Sequence, residues 1–252
     1  MKSDSPLWAS DAVRHLCHVD PVLAAIIAQV GPLRMARRSQ PFQALARAII
    51  FQQLAGRAAL AIYERFVEKI GGGRFPTPQM VLDAPDEAMR ASGISRGKMI
   101  YLRDLAAHVQ NRSLNFRRFT RMADEEIIAE LTRVKGIGRW TGEMFLMFNL
   151  HRPDVHPIGD LGLRNAVEKA YELPKGLTVK ELSLMGERWR PYRSAATWYF
   201  WQSTRLVTTG DAAAIRAPKS SKTKPLRKRV PRKSAPVGEI KRVARAARQP
   251  AH

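Results

Sequence analysis

The residues whose types and spacing best suit chemistry lie within 131–164, where a short glycine turn is followed by an aspartate. The turn is Gly136-Ile137-Gly138 and the aspartate is Asp160. Glycines on both sides of an aliphatic residue permit positive φ and close backbone approach, while Ile137 can fill the space between two helices. A helix that starts after the turn presents free N–H groups and a positive dipole end, which bind phosphate. The tripeptide alone also fits an ordinary corner between helices.

Two cations, Lys135 and Arg139, flank this turn. Contacts to nucleic-acid phosphates come mainly from cationic side chains and from main-chain N–H groups. We therefore predict that residues 135–139 contact a phosphate backbone.

Asp160 follows two prolines, Pro153 and Pro157, and precedes an apolar run that begins with Leu161 and Leu163. The prolines oppose helix before the aspartate, which predicts that Asp160 is the N-cap of a helix. A capping carboxylate is held rigidly, and its N–H donors favour the ionised form. Such a group can stabilise positive charge that develops on a sugar. The position is therefore consistent with a plain cap or with a catalytic carboxylate.

The chain has 43 Lys and Arg against 22 Asp and Glu, a net charge of +21, which favours a polyanionic partner. Residues 216–252 contain thirteen of these cations and a single acidic residue, Glu239. This segment therefore contributes +12 to the net charge, and the rest of the chain contributes +9. The segment has no aromatic residue, which predicts a disordered tail that raises affinity for phosphates. A solubilising tail is the alternative.

The single cysteine, Cys17, excludes an intramolecular disulfide, a thiolate zinc site and a four-cysteine iron–sulfur cluster. Its apolar neighbours predict a buried, inert thiol. The single cysteine favours a reducing, intracellular setting. No apolar run is long enough to span a bilayer, so no membrane partner is expected. Apolar residues recur at threes and fours within 42–70, 98–109 and 124–134 without a comparable strand pattern, which predicts an all-α fold.

The stretch from Leu131 to Arg164, in which Gly136-Ile-Gly-Arg-Trp-Thr is followed by Pro-Ile-Gly-Asp160, resembles the helix-hairpin-helix (HhH-GPD) DNA glycosylase superfamily, and within it the 3-methyladenine DNA glycosylase II branch. The resemblance extends over 20–205. It implies two helical subdomains with the active-site cleft between them. We expect one subdomain at 41–150, which contains the hairpin. The other would combine 1–40 with 151–215, and 216–252 would form the tail.

In this resemblance Asp160 is the catalytic carboxylate, which stabilises the oxocarbenium-like sugar or positions the attacking water. The hairpin residues Gly136, Ile137 and Gly138 would hold DNA phosphates beside a flipped nucleotide. Lys135 and Arg139 would bind DNA with them.

The resemblance also implies a base pocket and a wedge. Trp140 and Trp201 would stack on the flipped base, and Met144 would shape the pocket where some relatives have an aromatic residue. Leu54 would enter the gap that the base leaves, with Gln53 close by. Each tryptophan and Leu54 also fits a core position.

The implied activity is hydrolysis of the N-glycosidic bond of alkylated, 3-methyladenine-like bases, which leaves an abasic site. Trp140 stands where lyase members carry a lysine nucleophile, so a monofunctional enzyme is expected. No cofactor or metal is expected, since the chain lacks the cysteines that an iron–sulfur cluster needs. The expected partner is double-stranded DNA that contains damaged bases, bound by a monomer in the bacterial cytoplasm at the nucleoid, or in the nucleus of a eukaryote. The alternatives are a non-catalytic hairpin module, a glycosylase with lyase activity, and a pocket for a phosphorylated metabolite.

Overall fold

The computed structural model describes residues 5–35 and 39–208, and within these ranges the chain is helical with no strand. The predicted all-α fold is thereby confirmed. The predicted tail, 216–252, lies outside the described residues. The α-helices are α1 (Ala9–Val19), α2 (Pro21–Val30), α3 (Pro41–Phe51), α4 (Gly56–Gly71), α5 (Pro78–Asp83), α6 (Asp86–Ala91), α7 (Arg96–Gln110), α8 (Asp124–Thr132), α9 (Arg139–Phe148), α10 (Leu161–Ala170), α11 (Val179–Gly186) and α12 (Arg193–Thr208). Two 3₁₀ helices span Phe116–Arg121 and Glu187–Trp189.

Local signals in the sequence account for many helix ends. The Thr77 side chain accepts the N–H of Met80 at the start of α5, where Pro78 fills the first turn. Helix α4 ends at Gly71, and Gly72 follows with a left-handed φ of 60° that closes the helix.

A first hydrophobic core joins helices α3 to α9. Its buried side chains run from Phe42 to Val155 and include Phe66 and Phe119, which are fully enclosed. A core of this size keeps the hairpin between α8 and α9 in a fixed position.

A second core joins α1 and α2 to α10, α11 and α12 around Trp189, Tyr199 and Phe200. Trp201 is partly buried and packs against both cores. The start of α10 and the middle of α12 therefore lie where the two cores meet.

The prediction of a buried thiol at Cys17 is wrong, because this side chain is exposed. Leu16 points into the second core, and the next residue lies about 100° further round the helix, on the solvent side. None of the helices in the described ranges is long and apolar enough to cross a membrane.

Candidate active site

Asp160 is the N-cap of α10, and three donors hold its carboxylate. Its Oδ1 accepts the N–H of Leu163 at 2.5 Å and the indole N–H of Trp201 at 3.1 Å. Its Oδ2 accepts the indole N–H of Trp140 at 2.8 Å. The predicted cap is thus present, and the same side chain is partly exposed and joined to both predicted pocket tryptophans.

The two tryptophans come from different helices and form two walls around this carboxylate. Trp140 lies in the first turn of α9 and is 52% exposed, which excludes a core role. Trp201 lies on α12 and stacks on Phe148, with ring centroids 6.1 Å apart and an interplanar angle of 24°. Met144 is partly buried one helical turn beyond Trp140. An aromatic surface therefore extends away from Asp160.

Phe148 was not identified from the sequence as a site residue. It follows Trp140 and Met144 at intervals of four, so the three side chains share one face of α9. That spacing was the available signal, but the stacking partner on α12 could not be read from it.

The glycine turn joins α8 to α9 as a helical hairpin. Gly136 has a φ of 81°, and a Cβ at this position would overlap the ring of Tyr101. Ile137 is 4% exposed and packs in the first core, as expected for a residue that fills the space between two helices. Gly138 caps α9 without a side chain, so no side-chain cap occupies the first N–H groups of this helix. The turn therefore has the form of an anion site.

Both cations beside the turn have carboxylate partners. The Arg139 guanidinium binds Glu125 at 2.6 Å and Glu143 at 3.1 Å. Lys135 Nζ lies 3.7 Å from Asp104. Hydrogen bonding to Arg139 lowers the pKa of Glu125, whereas burial raises the pKa of Glu143. The local positive charge is smaller than the sequence suggests.

The short loop between α3 and α4 presents Leu54 to the surface. Gln53 has a φ of 55°, a left-handed conformation that non-glycine residues adopt rarely, and Leu54 is 38% exposed. This exposure excludes the alternative in which Leu54 is a core residue. Among the described residues, no group of three or more His, Cys, Asp and Glu side chains is arranged to hold a metal.

A helical hairpin with a glycine turn, close to a helix-capping aspartate, is the arrangement that the resemblance to helix-hairpin-helix DNA repair proteins implies. The comparison with known families is more specific: the chain belongs to the HhH-GPD superfamily of base excision DNA repair proteins, whose family model matches residues 46–191. The resemblance inferred from 131–164 is thereby confirmed.

Individual relatives agree with this assignment. The chain is 38% identical to DNA-3-methyladenine glycosylase 1 of Schizosaccharomyces pombe over 197 residues, which cover 77% of this chain and 86% of that protein. A solved structure of an S. pombe 3-methyladenine DNA glycosylase with abasic DNA matches with a TM-score of 0.70 at 38% identity, over 78% of this chain and 97% of the other. A DNA-3-methyladenine glycosidase from Bacillus halodurans gives a TM-score of 0.72 at 35% identity, over 82% and 93%.

Proposed function

We propose that this protein is a monofunctional DNA glycosylase that excises alkylated bases of the 3-methyladenine type from duplex DNA. The observation that carries the proposal is Asp160, a partly exposed carboxylate fixed by one main-chain and two indole N–H groups beside an aromatic surface. The relatives named above are called 3-methyladenine DNA glycosylases or glycosidases, and one of them was solved with abasic DNA. These names support the same substrate class and partner.

The first step is binding of the DNA backbone and extrusion of the damaged nucleotide. The main-chain N–H groups at Gly138 and in the first turn of α9 would donate hydrogen bonds to a phosphate, with Lys135 and Arg139 adding positive charge nearby. Leu54 would fill the space in the base stack, with Gln53 beside it. Bases that pair poorly cost least to extrude, which favours alkylated bases.

The extruded base would lie against Trp140 and Trp201, with Met144 limiting the pocket's shape. Indole faces attract a cationic ring, and many alkylated purines are cationic. Recognition by charge and stacking needs few hydrogen bonds, so one pocket can accept several alkylated bases.

In the chemical step, the bond between the base nitrogen and the anomeric carbon breaks, and the base leaves with the bonding electrons. A cationic base departs neutral, while positive charge develops on the sugar. The Asp160 carboxylate opposes this charge, and a water that attacks the same carbon loses a proton to Asp160 or to solvent water, which gives the hydroxyl of an abasic site. Trp140 cannot act as a Schiff-base nucleophile, so strand cleavage is not expected.

We further propose that residues 1–215 form the catalytic domain as two subdomains, 41–150 and 1–40 with 151–215. The two hydrophobic cores support this division. The basic segment 216–252 would add affinity for phosphates, and the enzyme would act as a monomer on DNA in the bacterial cytoplasm.

The test is release of free base from methylated duplex DNA by the purified full-length protein, with borohydride trapping in parallel. We expect free methylated purines and no trapped protein–DNA adduct. Trapping would establish a lyase instead. DNA binding without base release would favour the non-catalytic hairpin module.

A further inference from the structure

One face of helix α7 contacts both DNA-binding features of the first core. Lys98, Tyr101 and Asp104 recur at intervals of three along α7, so each side chain adjoins the next and the three form an oblique strip on the helix surface. This strip is called the α7 face. Its Lys98 end contacts the loop that carries Leu54, and its Asp104 end contacts the glycine turn. No function has yet been given to it.

Lys98 anchors the beginning of the loop that carries Leu54. Its Nζ donates hydrogen bonds to the carbonyl oxygens of Ile50 and Gln52, at 2.7 and 2.8 Å. Both carbonyls lie at the C-terminal end of α3, where unpaired carbonyls and the negative end of the helix dipole favour a cation. Burial lowers the pKa of Lys98, which indicates that this amine is partly withdrawn from water. Lys98 therefore fixes the backbone from which the loop begins.

The other two residues of the α7 face hold the glycine turn. The ring of Tyr101 lies so close to Gly136 that no Cβ would fit between them. One carboxylate oxygen of Asp104 accepts the main-chain N–H of Lys135 at 2.9 Å. The beginning of the turn, Lys135 and Gly136, is thus held against α7.

A direct contact completes the connection between loop and turn. The Gln52 side-chain amide donates to the carbonyl oxygen of Gly136 at 2.8 Å. Gln53 follows in its left-handed conformation, and Leu54 is exposed immediately after it. A strained residue persists only where its surroundings fix it, and both hydrogen bonds hold Gln52, the residue that precedes Gln53.

We propose that Lys98 and Gln52 are positioning residues that hold Leu54 at a fixed distance from the phosphate-binding turn. Binding of the backbone at the turn would then place Leu54 in the base stack, so that phosphate affinity contributes to extrusion of the base. The inference rests on the proposed glycosylase function and adds to it residues that do not touch the substrate.

The test compares single-turnover base release from two duplexes that each carry one 7-methylguanine, opposite cytosine in the first and opposite an abasic site in the second. A wedge matters most for a base that is paired. We expect Lys98→Met to slow release from the first duplex about tenfold, as for loss of a charge-assisted hydrogen bond, and to leave the second within about twofold. A merely structural role would slow both duplexes equally, which would overturn the proposal.

A double-mutant cycle with Leu54→Ala identifies the residue through which Lys98 acts. In the Leu54→Ala background, Lys98→Met should cause no further loss on the first duplex, whereas independent, additive effects would overturn the proposal. Lys69→Met is the matched control, because it removes the same charge from an exposed position in the last turn of α4. It should release base at the wild-type rate from both duplexes.

Gln52→Ala provides a second variant at a partly exposed side chain, where loss of folding is not expected. It should also slow release from the first duplex more than from the second. An active Gln52→Ala protein that slows both duplexes equally, or neither, would contradict the proposal. No release by the wild type from either duplex would overturn the proposed function and this inference with it. Release by the wild type with an additive cycle would overturn this inference alone.

Discussion

Two aspartates of this protein cap helices and accept indole N–H groups, but only one of them is open to a substrate. Asp20 caps α2 by accepting the N–H groups of Val22 and Leu23 at 3.0 and 3.1 Å. It also accepts the indole N–H of Trp189 at 2.8 Å and the hydroxyl of Tyr171. The side chain is fully buried in the second core.

Asp160 has the same kind of donors in a different setting. It caps α10 and accepts two indole N–H groups, yet it is partly exposed, and Trp140 beside it is half exposed. Both carboxylates are fixed by similar chemistry, and what separates them is access. An N-cap role and a catalytic role are therefore compatible at Asp160, whereas Asp20 can only stabilise the fold.

The largest effect expected from this comparison is on folding at Asp20. Asp20→Asn places an amide where several buried donors need an acceptor, and should reduce the free energy of unfolding by about 4 kcal/mol. Denaturant titration measures the loss. Molecules that remain folded should release base at the wild-type rate. A stable Asp20→Asn protein with reduced activity would contradict the assignment of Asp20 to the fold alone.

Acid should weaken the same core. Burial lowers the pKa of His156 to about 4, and its ring lies 5.7 Å from that of Trp189, the partner of Asp20. Because the folded protein resists protonation of this ring, stability is complete above the unfolded pKa near 6.5 and falls as the pH drops towards 4. The loss should be on the order of 3 kcal/mol.

Unfolding free energies of wild type and His156→Phe at a series of pH values test this expectation. The variant has no titrating ring at this position, so its stability should fall less between pH 6.5 and 4. The same fall in both proteins would assign the effect to other groups.

Removal of one indole donor should slow base release at Asp160 but not at Asp20. Trp201→Phe keeps an aromatic ring but removes the N–H that holds Asp160 Oδ1, and should slow single-turnover base release about tenfold, as for one hydrogen bond to a charged group. Trp189→Phe is the matched change at Asp20. It should lower stability and leave the rate per folded molecule unchanged, and a reversed pattern would contradict the assignment.

The smallest expected effect concerns the cations at the hairpin. Glu125→Gln removes the carboxylate that binds the two Nη atoms of Arg139 and makes them available to phosphate, while Glu143 still accepts from Nε. Affinity for duplex DNA should rise about threefold at low salt, with a steeper dependence on salt concentration. An unchanged salt dependence would indicate that Arg139 does not contact the backbone.

Local sequence signals predicted much of this arrangement. The Gly136-Ile137-Gly138 turn and the prolines before Asp160 act over a few residues, so the hairpin and the cap could be derived without tertiary information. The resemblance to a family then indicated which tryptophans lie near the aspartate.

Features that depend on distant contacts could not be derived in this way. The pairing of Arg139 with Glu125, the stacking of Phe148 on Trp201 and the contact of Lys98 with the end of α3 each join separate helices. The prediction for Cys17 is wrong for a related reason. Its neighbours are apolar, but packing against other helices decides which side of α1 faces the core.

The most direct test of the central claim compares wild type and Asp160→Asn for base release from methylated duplex DNA and for DNA affinity at one salt concentration. Asparagine is also a good N-cap, so the variant should fold and bind DNA. We expect release to fall about a thousandfold with affinity unchanged, because the carboxylate charge acts on the developing sugar cation. Wild-type release rates in a folded Asp160→Asn protein would contradict the assignment of Asp160 as the catalytic carboxylate.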